Sequence, residues 1–214
     1  MVVRTLLAAS LVLGAVSLTS AQTPRPASPR GTAAIEMGGQ YVKAANGMQY
    51  QGGKWIEISY GRPILRGRQT MFAPGADYGK ALLAGAPIWR AGADVTTRLK
   101  TEAPLTIGGK TLPAGEYSLF IELKENNWTF VVSTWAPMQT FDQAEFKNPN
   151  KTTIWGAYSY TPDKDVTRAP MKLMKSTVAV EQLTWGFINV TAKGGELALW
   201  WDKEFATVPF TIAN

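Results

Sequence analysis

Alternation of apolar and polar side chains at every second position is the feature that most constrains the fold of this chain. Residues 55–60 place Ile56, Ile58 and Tyr60 on one side, and residues 95–101 repeat the same pattern. A repeat of two residues is the period of a half-buried β-strand, whereas a helix repeats every 3.6 residues. These segments therefore predict strands that each turn one face toward a core.

Glycine-rich turns divide the chain into short segments of this kind. Gly108-Gly109 and Gly194-Gly195 supply the positive backbone angles of tight hairpin turns, and Pro113 marks another reversal. We expect successive strands to pair as an antiparallel meander. Further strands are predicted at residues 105–112, 116–123, 128–133, 154–160, 166–174, 183–190, 196–202 and 208–212. The pattern favours an all-β fold, an antiparallel β-sandwich or jelly roll.

Short helices are predicted at two places between the strands. Residues 141–146 follow Thr140 as N-cap and carry Gln143 at the capping-box position, and residues 76–84 form a weaker candidate. The expected fold class is thus all-β with one or two short helices.

The amino end is typical of an exported protein. Residues 1–21 carry Arg4 ahead of an apolar run that is too short to span a bilayer, and small residues precede Gln22. We predict a signal peptide cleaved after Ala21, a flexible leader over residues 22–34, and a single β-sandwich domain over residues 35–214. The mature protein is then expected in the periplasm or outside the cell, with no membrane insertion after cleavage.

The chain contains no histidine and no cysteine, which removes most familiar catalytic groups. A Ser-His-Asp triad, a thiolate nucleophile and the usual zinc sites all need one or the other. No phosphate-binding loop or other cofactor motif stands out, so we expect neither a cofactor nor a metal site. The formal charge of +6 is spread along the chain without basic runs, so it does not indicate a nucleic-acid partner.

Arginine and aromatic residues concentrate in the loops that flank the first two predicted strands. Guanidinium groups bind anions, aromatic faces stack on sugar rings, and nearby glycines let a ligand approach the backbone. The candidate ligand-binding residues are Tyr60, Arg62, Arg68, Trp89, Arg90, Asp94, Tyr158 and Arg168. In the alternative interpretation, the arginines pair with Asp94, Asp165 or Glu102 and only pin the loops to the sandwich.

Three functions fit these residues. The first is a non-enzymatic protein that binds a small polar, anionic or carbohydrate ligand. The second is a histidine-free hydrolase in which Asp94 and Asp165 act as paired catalytic carboxylates, as in glycosidases. The third is an envelope structural or interaction protein whose exposed aromatic side chains contact a partner chain.

An ordered set of short motifs gives the chain a family resemblance. The motifs are YGRP (60–63), GR (67–68), WRAGADVTT (89–97), GGKTLPAGEYSL (108–119), WGAYSY (155–160) and DVTR (165–168). Together they resemble the exported bacterial proteins grouped as domain of unknown function 2911. That resemblance implies a β-rich fold and an envelope or secreted setting, and it implies no activity. Asp94 stands where the family pattern has asparagine, which adds a negative charge beside Arg90.

Overall fold

Twelve strands and one short α-helix make up the part of the chain that the computed structural model describes, residues 25–69, 71–138, 157 and 160–213. The strands are β1 (Arg30–Met37), β2 (Gln40–Ala44), β3 (Gly47–Gln51), β4 (Lys54–Gly61), β5 (Thr97–Thr101), β6 (Leu105–Ile107), β7 (Lys110–Leu112), β8 (Gly115–Glu122), β9 (Thr129–Ser133), β10 (Asp165–Pro170), β11 (Lys172–Thr191) and β12 (Gly194–Ile212). The helix α1 (Lys80–Leu83) follows a 3₁₀ turn at Gly75–Asp77, and a second 3₁₀ turn lies at Pro162–Lys164.

The strands form two antiparallel sheets and a separate hairpin. One sheet has the order β1-β4-β5-β8-β9-β10, the other the order β11-β12-β6-β7, and β2 pairs only with β3. Both sheets contribute to one apolar core, including Ile58 and Leu119 from the first sheet and Leu197 and Leu199 from the second. Because side chains alternate across each strand, the two inner faces meet in this core. The opposite face of β8 and β9 is also partly apolar, since Phe120 and Val131 are buried there in a second, smaller cluster. The predicted all-β sandwich is confirmed.

The alternation in β4 and β5 has the predicted effect. Ile56 and Ile58 are fully buried while Trp55 is half exposed, and Ile58 lies opposite Leu99 in the antiparallel register. The adjacent pair Trp200-Trp201 behaves in the same way, because Trp201 is buried and Trp200 is only partly buried.

Several sequence-based boundaries differ from the structure. Residues 30–34, assigned to a flexible leader, form the first part of β1, which pairs with β4 along its whole length. The strand predicted at 166–174 is two strands in different sheets, because the chain changes sheets at Met171, whose amide donates to the carbonyl of Trp128. The predicted meander is likewise interrupted between β7 and β8, which lie in different sheets.

The helix predictions have a mixed outcome. Within residues 76–84 the chain forms the end of the first 3₁₀ turn and then α1, so this weaker candidate does contain helix. The candidate at residues 141–146 lies outside the described residues, as does most of the strand predicted at 154–160.

Four aromatic rings pack together at one end of the core. Trp89 stacks on Trp201 with ring centroids 6.3 Å apart, Phe72 stacks on Trp128 at 5.3 Å, and the two pairs meet edge to face. All three indoles are nearly or completely buried. This cluster gives the loop that carries Trp89 a rigid base.

Candidate functional site

A half-open cavity of about 220 Å³ lies where the two arginine-bearing loops meet. Arg68 comes from the loop that follows β4, and Arg90 and Asp94 come from the loop that precedes β5. Trp89 and Trp201 of the aromatic cluster also line it. We call it the arginine cavity.

Trp89 anchors the second loop and thereby positions Arg90. Its amide donates to the carbonyl of Ile121 over 3.1 Å, and the Ile121 amide donates back over 2.8 Å, so Trp89 extends the sheet by one residue pair. Trp89 is packed in the core, and both it and the adjacent Arg90, which is 9% exposed, line the cavity.

The backbone between Arg90 and β5 is strained. Ala91 and Asp94 have φ angles of 54° and 63°, a region that non-glycine residues rarely adopt. Close packing on Gly61 holds this backbone in place. The Gly61 carbonyl accepts a hydrogen bond from the Ala93 amide over 3.2 Å. A Cβ atom at position 61 would lie 1.9 Å from the Ala93 oxygen, so a larger residue does not fit there. Strained backbone of this kind gathers at functional sites.

Asp94 projects a half-buried carboxylate that makes no hydrogen bond or ion pair with any described residue. The indole nitrogen of Trp201 is in a similar position, being buried with no acceptor among the described residues. Buried polar groups normally have partners, and an exception calls for an explanation. The arginine cavity therefore offers the Asp94 carboxylate to a ligand as an acceptor, whereas the Trp201 N–H is buried away from solvent.

Arg68 is held by its own loop. Its Nε donates to the Leu65 carbonyl over 3.0 Å and its Nη2 to the Ile64 carbonyl over 2.7 Å, while the Leu65 amide donates to Glu181 of β11. These bonds fix the guanidinium and leave Nη1 without a partner among the described residues. Fixed donors of this kind lose little entropy when an anion binds.

Arg68 also lines a second, larger cavity of about 480 Å³. Its other charged lining residues are Glu181 of β11 and Asp202 and Lys203 of β12, so we call it the hairpin cavity. Pockets that hold drug-sized ligands measure roughly 300–1,000 Å³. The hairpin cavity lies within that range, and the arginine cavity lies below it.

Two other predicted site residues have structural partners instead. The Tyr60 hydroxyl is buried and accepts from the Trp185 amide over 3.0 Å. Arg62 donates through Nε to the Leu183 carbonyl and through Nη2 to the Thr184 hydroxyl, both over 3.3 Å. Neither residue lines the arginine cavity.

Arg168 belongs to a separate ion-pair network. It donates to Asp165 over 2.8 Å and to the Tyr160 hydroxyl over 3.0 Å, and it also pairs with Glu122. Burial, and next the hydrogen bond to Asp165, raise the pKa of Tyr160. The hydrogen bond from Lys124 is the largest of the effects that hold the pKa of Glu122 below its usual value.

The two carboxylates considered for catalysis are not brought together in the arginine cavity. Asp94 lines it, whereas Asp165 is 7% exposed in the Arg168 network and is not among the described residues of the lining. Tyr158, the remaining predicted ligand-binding residue, lies outside the described residues.

No sequence pattern identifies the charged residues of the hairpin cavity. Glu181, Asp202 and Lys203 are separated from Arg68 by more than 100 positions, and no local motif marks them. The pairing of β11 with β12 and the contact of Leu65 with β11 bring these residues to Arg68.

Two features are absent from the part of the chain that the structure describes. No cluster of three or more acidic side chains is suitably arranged to hold a metal ion, and no helix is long and apolar enough to cross a membrane.

Comparison with known proteins identifies the family. No curated protein and no solved structure gives a significant match to this chain. Residues 43–210 match the model of the family described as "Protein of unknown function (DUF2911)", a stretch that includes most of the described sandwich and every described lining residue of the two cavities except Ser28. The chain therefore belongs to the DUF2911 family, as its ordered motifs indicate.

Proposed function

We propose that this protein binds a small anionic ligand in the arginine cavity and does not transform it. The observation that carries the proposal is the convergence of Arg68, Arg90 and Asp94 from two separate loops on one cavity. A planar guanidinium presents several donors in a fixed geometry that matches a carboxylate or a phosphate. Two of them beside one cavity favour a ligand that carries such a group.

Asp94 narrows the class of ligand further. Its carboxylate repels a second negative charge and accepts hydrogen bonds from hydroxyl or ammonium groups. A compact molecule with one anionic group and several hydroxyl groups, such as a sugar acid or a sugar phosphate, satisfies all of these groups.

The binding role is favoured over the paired-carboxylate hydrolase for one geometric reason. That mechanism needs two carboxyl groups on either side of the same bond. Asp94 is the one carboxylate among the described residues that line the arginine cavity, and Asp165 is engaged by Arg168 and Tyr160 elsewhere.

Calorimetric titration with four probes tests the proposal. D-glucuronate and glucose 6-phosphate carry both an anionic group and hydroxyl groups, D-glucose lacks the charge, and sulfate lacks the hydroxyls. We expect saturable binding of at least one of the first two probes, about tenfold tighter than either D-glucose or sulfate. If none of the four binds at concentrations of about 10 mM, which corresponds to a negligible affinity, the proposal is wrong.

Matched arginine variants locate the site. Arg68→Ala and Arg90→Lys should each weaken binding about tenfold, the second because an ammonium cannot reproduce the planar fork. Arg66→Ala is the control, since Arg66 lies in the same loop, is exposed and lines neither cavity. An equal loss of affinity in all three variants would show a general effect of the protein's positive charge and would contradict binding in the arginine cavity.

We also propose that the protein acts in the periplasm or outside the cell. The support is the amino-terminal sequence alone, with its apolar run and the small residues before Gln22. Amino-terminal sequencing of the protein from its native host should begin at Gln22. Recovery of the chain with residues 1–21 intact, in the cytoplasm, would overturn this proposal.

A further inference from the structure

The hairpin cavity shares Arg68 with the arginine cavity, so one fixed side chain borders both cavities. Two hydrogen bonds to its own loop hold the Arg68 side chain in position, so a ligand in either cavity is not needed to order it. A ligand seated against Arg68 on one side can therefore continue past it on the other.

Backbone strain marks both cavities. Seven non-glycine residues in the described part of the chain have a positive φ angle. Five of them line one of the cavities or lie next in sequence to a residue that does; they are Arg66, Ala84, Ala91, Asp94 and Asp202. Such backbone conformations are strained in residues other than glycine, and strained residues cluster at functional sites.

Asp202 owes its position to an irregularity in the long hairpin. It lies opposite Val180, and the register between β11 and β12 shifts on both sides of that pair. With a φ angle of 52° it interrupts the regular alternation of β12. Such bulges redirect side chains and occur beside functional sites. Here the bulge places Asp202 and its neighbour Lys203 in the lining of one cavity.

The charges of the hairpin cavity are balanced, unlike those expected for a second anion site. Arg68 and Lys203 oppose Glu181 and Asp202. Among the described residues, the side chains of Asp202 and Lys203 make no hydrogen bond or ion pair, and the Glu181 carboxylate uses one oxygen to accept from the Arg66 amide over 2.6 Å. Free donors and acceptors in equal measure suit hydroxyl groups, since each hydroxyl both donates and accepts.

We infer that the ligand is an acidic oligosaccharide, with its charged terminal sugar in the arginine cavity and its neutral neighbouring sugars in the hairpin cavity. The inference rests on the proposed function, because it assigns the anionic group to the site proposed above. It adds Glu181, Asp202 and Lys203 as the groups that bind the uncharged part. A peptide with a free terminal carboxylate is the competing class, and it has fewer hydroxyl groups to match these side chains.

Calorimetry with probes of increasing length tests the inference. D-glucuronate represents the terminal sugar, glucuronyl-xylobiose adds two neutral sugars to it, xylotriose is the uncharged control, and triserine represents a peptide. We expect glucuronyl-xylobiose to bind about tenfold tighter than D-glucuronate, because several hydrogen bonds are added without a new charge. Xylotriose and triserine should bind at least about tenfold more weakly than glucuronyl-xylobiose.

Variants of the hairpin cavity separate this inference from the proposed function. Asp202→Asn and Glu181→Gln should reduce the advantage of glucuronyl-xylobiose to about twofold while the affinity for D-glucuronate itself stays within about twofold of wild type. Glu196→Gln is the matched control, since Glu196 also lies on β12 but lines neither cavity. It should change neither affinity.

The possible results are distinguishable. If D-glucuronate binds and the added sugars bring no gain, the extension is wrong while the proposed function stands. Tighter binding of triserine than of glucuronyl-xylobiose would replace the sugar class with a peptide. If none of the probes binds, the inference fails together with the assignment of an anion to the arginine cavity.

Discussion

The indole Nε1 of Trp185 donates a hydrogen bond of 2.9 Å to the carbonyl oxygen of Ala91. Trp185 lies in β11, and Ala91 lies in the strained loop that carries Arg90, so the bond joins one sheet to the arginine cavity. The same carbonyl accepts from the Thr97 hydroxyl over 3.1 Å. Two donors on one oxygen fix the peptide plane of a residue that has a φ angle of 54°.

Trp185→Phe should destabilise the protein and weaken ligand binding together. The change removes one donor from the Ala91 carbonyl and leaves space in the core, for a loss of about 1–3 kcal/mol in the free energy of unfolding. Urea denaturation measures the loss, and titration with D-glucuronate measures the effect on the cavity. Trp200→Phe is the control, because Trp200 is only partly buried and stacks on Phe205. Equal stability of wild type and Trp185→Phe would contradict this account of the loop.

Alternation predicts strands well where large side chains make it visible. It located β4, β5, β8 and β9 to within a few residues, because their apolar faces carry Ile, Leu, Phe and Val. It missed β1, whose small side chains give a weak pattern and whose place is set by backbone pairing with β4. A change of sheet at Met171 also leaves no periodic signal, since alternation does not specify which sheet a strand joins.

The candidate site was predictable only as a set of loops. Arg62 and Arg68 lie in one arginine-rich stretch with the same local composition. The first donates to β11 and the second lines both cavities. That difference depends on where β11 lies, a long-range contact that residue types in the loop do not encode. For the same reason the hairpin-cavity carboxylates could not be identified in advance.

Tyr78→Phe tests a buried polar pair beside the aromatic cluster. The Tyr78 hydroxyl accepts from the indole Nε1 of Trp128 over 2.8 Å, and Trp128 is fully buried. Phenylalanine leaves that N–H without an acceptor, which should lower the free energy of unfolding by about 1–3 kcal/mol. Chemical denaturation at pH 7 measures the change.

The stabilising effect of Tyr78 should depend on pH in the alkaline range. Burial raises its pKa from 10.0 to about 12. Between these values the unfolded state has lost the phenolic proton and the folded state has kept it, so stability falls as the pH rises. The difference between wild type and Tyr78→Phe should shrink from pH 10 to pH 12. A constant difference across this window would show that the tyrosine titrates normally.

Arg168→Ala should destabilise the fold without affecting the arginine cavity. Asp165 is nearly buried, and removing Arg168 leaves its carboxylate with the Tyr160 hydroxyl as its remaining described partner. We expect a loss of about 1–3 kcal/mol, larger than the 0–1 kcal/mol or so for the exposed Lys124→Ala control. Urea denaturation of both variants provides the comparison.

Glu122 makes the stability that the Arg168 ion-pair network provides depend on pH in the acid range. Lys124 and Arg168 hold the pKa of Glu122 below its usual value. The charged carboxylate therefore stabilises the fold at pH values above the usual glutamate pKa, and this stabilisation is lost as the pH falls through the lower pKa of the folded state. The stability difference between wild type and Arg168→Ala should therefore diminish in acid. An increase of the difference at low pH would contradict the assignment.

Arg62→Met distinguishes a structural arginine from those assigned to the ligand. Methionine keeps an apolar stem but loses the donors to the Leu183 carbonyl and the Thr184 hydroxyl, so we expect a loss of about 1–2 kcal/mol in stability. Because Arg62 lines neither cavity, affinity for D-glucuronate should stay within about twofold of wild type, unlike that of Arg68→Ala. Denaturation and titration of the same preparation measure both effects. If Arg62→Met kept its stability and lost its affinity for D-glucuronate, Arg62 would belong to the binding site, and the assignment of that site to the arginine cavity alone would be wrong.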